Sequence, residues 1–230
     1  MRVRIGHPLA YPLCVTIGAL AVLTAWAPFA DPDQLSALAV VAIGIVGYSG
    51  YRIAVALGAF PHRALDRGEV AVRRVRQEYQ LLSRSWLELR DGDRIRWLPV
   101  YFGPELISCT GGTALLTEHR IMLRNKCSQP DAPSGLRAFP SGRTRDREPP
   151  GRLIDNPTRI DPEAPERART ATKLTRRLLL DAQSAVAAPF VGLLWVYVMG
   201  GGGIPAFAGA CCVTAAAGIW LAAIRGSDPS

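Results

Sequence analysis

From Pro8 to Ala30 the chain carries no charged residue. About 20 predominantly apolar residues in a helix cross the roughly 30 Å of hydrocarbon in a bilayer. Arg2 and Arg4 precede the run, a pattern shared with secretory signal peptides. The run is longer than a typical signal core, however, and a second apolar run begins after only Asp31-Pro32-Asp33-Gln34. A transmembrane hairpin accounts for both. The second span reads from Leu35 to about Tyr51, with continuation through residue 56 and as far as Phe60 before Pro61 stops it. Arg52, near its end, reads as an interface anchor that snorkels to the headgroups.

The pattern returns at the other end of the chain. Ala182–Met199 and Ile204–Ile224 are apolar and joined by Gly200-Gly201-Gly202-Gly203, a turn short enough to force an antiparallel pair. Trp195, Tyr197 and Trp220 lie toward span ends, where amphipathic rings prefer the interface. Pro189 falls inside the third span and is expected to kink it.

Charge is confined to the middle. All but Arg2, Arg4, Arg52 and Arg225 of the 27 Lys and Arg fall between Pro61 and Asp181. The net charge of +8 admits nucleic-acid binding, but the basic residues are interleaved with acidic ones and form no dense run. Excess Lys and Arg on the inner side of a membrane protein explains the balance more simply. Neither short connecting loop has a Lys or Arg, whereas Arg63 and Arg67, then Lys173, Arg176 and Arg177, flank the middle segment. The expected orientation in the cell membrane is therefore N-terminus, insert and C-terminus all cytoplasmic.

The insert changes period. Val70–Arg76 and Trp86–Arg90 alternate loosely, and Asp91-Gly92-Asp93 is a hairpin turn leading into Arg94–Phe102. Pro99 cannot donate to a ladder, so its strand belongs at an edge or a bulge. Leu106–Cys109, Ala114–Thr117, Ile121–Leu123 and Leu136–Phe139 read as further short strands of a small barrel or sandwich. Pro140 to Pro165 reads as a mostly irregular connector. From Glu163 to Leu180 helical spacing places Ala171, Leu174 and Leu178 opposite Arg169, Lys173, Arg176 and Arg177, an amphipathic helix suited to an anionic leaflet or to the barrel. The fold class is thus a membrane α-helical protein with an inserted all-β soluble domain. It divides into a first hairpin (1–60), the β-rich domain (61–140), the connector (141–162), the basic helix (163–181) and a second hairpin (182–225).

Reactive constellations are absent from the pattern. His7, His62 and His119 lie far apart with no metal-ligand spacing, and neither Gly111-Gly112-Thr113 nor Gly200–Gly203 matches a phosphate loop. Cys14, Cys211 and Cys212 lie in apolar spans, and Cys109 and Cys127 in the insert lack the spacing of a redox or zinc motif. No catalytic residue, metal or cofactor is predicted. The spans hold no Asp, Glu, Lys or His at mid-depth, which argues against a transporter acting alone. The candidate contacts for a partner or lipid are Arg73, Arg74, Arg76, Arg94, Arg96 and Trp97 in the insert, with Lys173, Arg176 and Arg177 on the basic helix. In the fourth span the small residues Ala206, Ala210, Thr214, Gly218 and Ala222 recur at spacing four, a helix-packing face for this chain or a neighbour.

Several stretches carry a resemblance: Trp97–Phe102, Pro140–Arg143, Glu148–Arg152, Ala188–Trp195 and the tail Arg225–Ser230. On these the chain resembles a group of uncharacterised actinobacterial multi-pass membrane proteins with four spans and a cytoplasmic β-rich insert. The resemblance implies architecture and no activity. The expectation is a non-enzymatic accessory or scaffold subunit whose β domain binds a protein partner, or a homo-oligomer. A transporter or channel component is the alternative, and a membrane enzyme ranks third.

Overall fold

In hydrocarbon a backbone must satisfy its polar groups internally, and a charge-free run does so as a helix. The first run forms α1 (Ala10–Trp26), extended by a 3₁₀ turn at Ala27–Phe29. The second forms α2 (Pro32–Leu57), longer at both ends than its apolar pattern, so that Arg52 lies inside the helix. Asp31 caps it by accepting the Gln34 N–H at 2.8 Å, and Pro32 opens it where a missing N–H costs nothing. The computed structural model describes residues 6–60, 68–109, 111–117, 120–125, 135–156, 163–198 and 203–230. Arg2, Arg4, His62, the flanking Arg63 and Arg67, His119, Cys127 and Gly200–Gly202 lie outside them.

Four helical segments are long and apolar enough to cross a membrane: Ala10–Phe29, Pro32–Leu57, Leu174–Val198 and Gly203–Ile224. The single amphipathic helix expected over 163–180 is instead two, α3 (Ala164–Ala171) and α4 (Leu174–Asp181), broken where Lys173 turns extended. Around α4 Lys173 and Arg176 are exposed as expected, but Arg177 and the leucines depart from the expected pattern. Arg177 is buried, while Leu174, Leu178, Leu179 and Leu180 are exposed, Leu179 by 75%.

A 3₁₀ stretch, Ala182–Ala187, then leads into α5 (Ala188–Val198). Pro189 contributes to it by removing an N–H from the ladder, and the Ala188 N–H bonds the Ala185 carbonyl three residues back. The expected kink is therefore a change of helix type. A 3₁₀ residue rises about 2.0 Å and an α residue 1.5 Å, so residues 182–198 extend roughly 28 Å, close to the hydrocarbon thickness. The final helix, α6, is Gly203–Ile224. α5 and α6 pack tightly at Gly192, where an added Cβ would lie 2.5 Å from Cys211 Sγ and 3.1 Å from the Phe207 ring.

Between the hairpins lies one antiparallel sheet: β1 (Gly68–Tyr79), β2 (Leu82–Asp91), β3 (Arg94–Val100), β4 (Gly112–Leu116), β5 (Ile121–Asn125), β6 (Leu136–Ala138) and β7 (Arg152–Asp155). Its order is β3-β2-β1-β4-β5-β6, with β7 also on β1. The long β1 pairs with β2 over most of its length. Along its other side it pairs first with β4 through residues 68–72 and then with β7 through residues 75–78. One strand with two successive partners curls the sheet into a half-barrel. Val70, Val72, Leu87, Leu89, Leu98, Val100, Ala114, Leu116, Ile121 and Leu123 fill its concave face.

Three departures from the sequence reading have local causes. Leu106–Cys109 is no strand: a 3₁₀ turn, Pro104–Ser108, opened by Pro104, places Leu106 in the half-barrel core. The connector contributes β7, so the sheet continues past residue 140. Residues 139–145 also run along β3, where Trp97 and Arg145 exchange two backbone hydrogen bonds of 2.8 Å and the Pro99 carbonyl accepts the Ser141 N–H. Pro99 thus sits on the terminal strand, as its missing donor requires.

A methyl group at Gly192 has no room between α5 and α6. Gly192→Ala should lower the unfolding midpoint of the detergent-solubilised protein by about 5 °C, the effect of an overpacking cost of about 1–3 kcal/mol. Gly218→Ala, whose new methyl would meet the Ser184 carbonyl at 3.3 Å, should cost less.

Candidate functional site

The parity of β1 places Arg74 on the same face as Val70 and Val72, inside the half-barrel. Its side chain is 2% exposed, and every partner lies within the protein. Nη1 donates to the Leu106 carbonyl at 3.2 Å and to Asn156 Oδ1 at 2.9 Å. Nη2 donates to Asp228 Oδ2 at 2.7 Å and to Ser230 Oγ at 2.9 Å. Asp228 also accepts the Ser85 hydroxyl at 2.6 Å and the Ser230 hydroxyl at 2.7 Å. Burial alone would raise the Asp228 carboxyl, but the Arg74 charge and the Ser85 and Ser230 hydrogen bonds outweigh it and hold the group below the usual carboxylate range. Asn156 fixes the far side by donating to the carbonyls of Leu106, Ile107 and Cys109.

Asp228 reaches this position because the segment after α6 turns back onto the sheet. Gly226 makes the turn at φ +85°, and an added Cβ there would lie 2.9 Å from Ser141. Ser227 then bridges Arg84, and the Asp228 N–H donates to the Ser83 carbonyl at 2.9 Å, extending the sheet where β3 leaves β2.

A second cluster adjoins the first. The Arg177 guanidinium stacks over the Tyr11 ring at 3.8 Å and faces Phe102 at 5.7 Å. Tyr11 and Ser227 donate to the same oxygen, Asp181 Oδ2, at 2.6 and 2.9 Å. One carboxylate thereby joins the start of α1, the end of α4 and the segment after α6. Asp181 lies inside the segment Leu174–Val198, directly before the run expected to start at Ala182. A cavity of about 210 Å³ opens beside these groups, lined by Glu78, Ser83, Arg177, Asp181, Ser227 and Asp228 among others. Leu81, Leu82, Leu180 and Pro229 complete the lining, and the volume is large enough for several waters.

The remaining sequence candidates scatter. Arg73 is half-exposed and pairs with Glu88 and, at 2.9 Å, with Asp155; Arg76 pairs with Glu78. Arg94 is exposed at the β2–β3 hairpin, with Arg96 half-buried beside it. Trp97 is buried against Val75 and Trp86, and Lys173 and Arg176 are exposed. Arg74, Trp97 and Arg177 therefore leave the expected basic surface. The half-barrel encloses Arg74, the outer-face cluster covers Trp97, and α4 turns Arg177 inward. On α6, Gly218 packs against Ser184 and Ala222 is buried, whereas Ala206, Ala210 and Thr214 line a cavity between the hairpins.

Tyr11, Ser85, Asn156, Asp181 and Asp228 escaped the sequence reading. Two signals pointed to them: Arg74 at an inward position of β1, and two carboxylates beside apolar runs, Asp181 before the third and Asp228 after the fourth. Among the described residues no three His, Cys, Asp or Glu side chains are grouped to hold a metal ion. No family model, curated protein or solved structure matches the chain. The arrangement fixes geometry, since Arg74 meets Asp228 and Arg177 stacks on Tyr11, although Nε of each arginine is buried without a hydrogen-bond partner.

Breaking a buried pair leaves an uncompensated charge, so Asp228→Asn should cost about 3–5 kcal/mol, read as a lower midpoint in detergent. The double variant Arg74→Met, Asp228→Leu should recover much of that loss. The Asp228 carboxyl is depressed in the folded state, and its contribution is complete above the unfolded value of about 4 and lost as pH falls through the lower folded value. Glu88 acts with the same sign, its burial outweighed by bonds from Arg90 and Arg73. Wild-type stability should therefore drop below about pH 4, and Asp228→Asn should lack part of that drop.

Proposed function

We propose that the protein is a non-enzymatic membrane adaptor, an accessory or scaffold subunit that presents its β domain to an acidic protein surface on the cytoplasmic side. The observation that carries this reading is the buried Arg74–Asp228 junction, which ties the first strand to the segment after the last span. A domain on a loose tether would need no such bond. A fixed domain holds its outer end at a set height and angle above the bilayer.

That outer end is the β2–β3 hairpin. β2 starts at Leu82 beside the segment after α6 and ends at Asp91, a strand length of about 30 Å. Arg94 and Arg96 lie there beside the 43% exposed Ile95, and among the described residues neither arginine has a carboxylate within ion-pair distance. Uncompensated arginines around an exposed apolar side chain suit an acidic partner. The cytoplasmic assignment rests on Arg63, Arg67, Lys173 and Arg176 flanking the insert, with no Lys or Arg in either short loop.

A second reading, a transporter or channel component, draws on the cavity between the hairpins. It measures about 500 Å³ and is lined by Trp26, Phe29, Trp195, Ala210 and Thr214 among others, with Asp31 and Gln34 at one end. Solute flux in reconstituted vesicles that is lost on Ala210→Phe would favour it over the adaptor.

The adaptor reading predicts that crosslinking in intact cells followed by purification recovers a stoichiometric protein partner. Charge reversal by Arg94→Glu with Arg96→Glu should reduce that recovery at least tenfold, about the effect of losing a charge-pair contact, without moving the unfolding midpoint. Recovery of only the lone chain from wild-type cells would sink the proposal.

A further inference from the structure

Four arginines from four separate elements meet on the outer face of the sheet, where it reaches the helix ends. Arg84 lies on the β2 face that carries Trp86, opposite the half-barrel core. The Arg145 guanidinium stands 5.5 Å from the Trp86 ring. Arg52 reaches in from the last turns of α2. Its Nη1 lies 3.6 Å from where a Cβ on Gly142 would stand, and that position is 3.1 Å from Cγ of Pro99, the register partner of Trp86. Arg225 leaves α6 two residues before Ser227, which bridges Arg84.

Among the described residues, none of the four has a carboxylate within ion-pair distance, and Arg52 Nε is buried without a hydrogen-bond partner. Burial pushes Arg84 down to about 10, and the charges of Arg225, Arg52 and Arg145 push the same way. A guanidinium keeps its proton at neutral pH, so proton loss does not relieve this repulsion. An anion with several oxygens does, and phosphate matches the guanidinium fork. The place also matters: Arg52 and Arg225 stand near the sheet-side ends of apolar helices, the depth at which headgroup phosphates lie.

We propose that Arg52, Arg84, Arg145 and Arg225 form a binding site for a phosphate group, carried by the headgroup of an anionic phospholipid or by a free phosphate. The site lies on a different part of the sheet from the β2–β3 hairpin and does not depend on the adaptor reading.

The test uses the full chain, delipidated in a neutral detergent, with the unfolding midpoint followed on addition of phosphatidylglycerol, phosphatidylcholine or inorganic phosphate at matched ionic strength. Phosphatidylglycerol should raise the midpoint by about 5 °C more than phosphatidylcholine does. If inorganic phosphate gives the same rise, the ligand is free phosphate; if only phosphatidylglycerol does, it is the lipid. Arg84→Gln and Arg145→Gln should each weaken the response about tenfold in ligand concentration. The charge-matched Arg120→Gln and Arg124→Gln, on the far side of the sheet, should leave it intact. Without ligand, Arg84→Gln should be at least as stable as wild type, because one of four like charges is gone. No rise with any anion, an equal rise in Arg84→Gln and Arg145→Gln, or a ligand-free Arg84→Gln that is less stable than wild type would each overturn the site.

Discussion

A guanidinium inside a half-barrel must find an anion, because desolvating it costs several kcal/mol even after the protein relaxes. Arg74 finds one 154 residues away, in Asp228. Much of the architecture follows from that distance. The last apolar helix must end beside the sheet, the chain must reverse at Gly226, and the segment beyond must lie along β2. Ser227 is thereby placed to share Asp181 with Tyr11, which joins the start of α1 and the end of α4 to the same point. Membrane helices and sheet form a single polar joint.

Helix α4 departs most from its apolar pattern. Its four leucines are exposed, and Arg177 is held against Tyr11 and Phe102. The 3₁₀ segment before Pro189 changes the length of the third apolar run. It lengthens a short apolar run just enough to match the hydrocarbon, a match that an all-α segment of the same residues would miss by several Å.

The abundance of arginine has more than one cause. Arg74 and Arg177 are internal, and Arg73, Arg76 and Arg90 are paired with carboxylates on the sheet. Among the described residues, Arg84 near the helix ends and Arg94 and Arg96 at the hairpin have no carboxylate within ion-pair distance. Side chains of one type and one charge are separated by the partners that the fold supplies.

The helices and the hairpin at Asp91-Gly92 were legible because their signals are local: apolar length for the first, and for the second a glycine at the turn position that needs positive φ. The hairpin between β1 and β2 was not, since Gln80-Leu81 carries no turn chemistry and Gln80 adopts φ 54° regardless. β7 was hidden among prolines and charges, because a four-residue strand is specified by the edge it meets. Arg74 looked like a surface residue for the same reason that Asp228 looked like part of a polar tail. Alone, the sequence determined which four runs are long and apolar enough to cross a membrane, since transfer of an apolar residue into hydrocarbon depends on that residue and its neighbours. Only the tertiary structure decided which charges are buried and with whom, because an ion pair is set by distance in space, and Arg74 and Asp228 lie at opposite ends of the soluble and membrane halves of the chain.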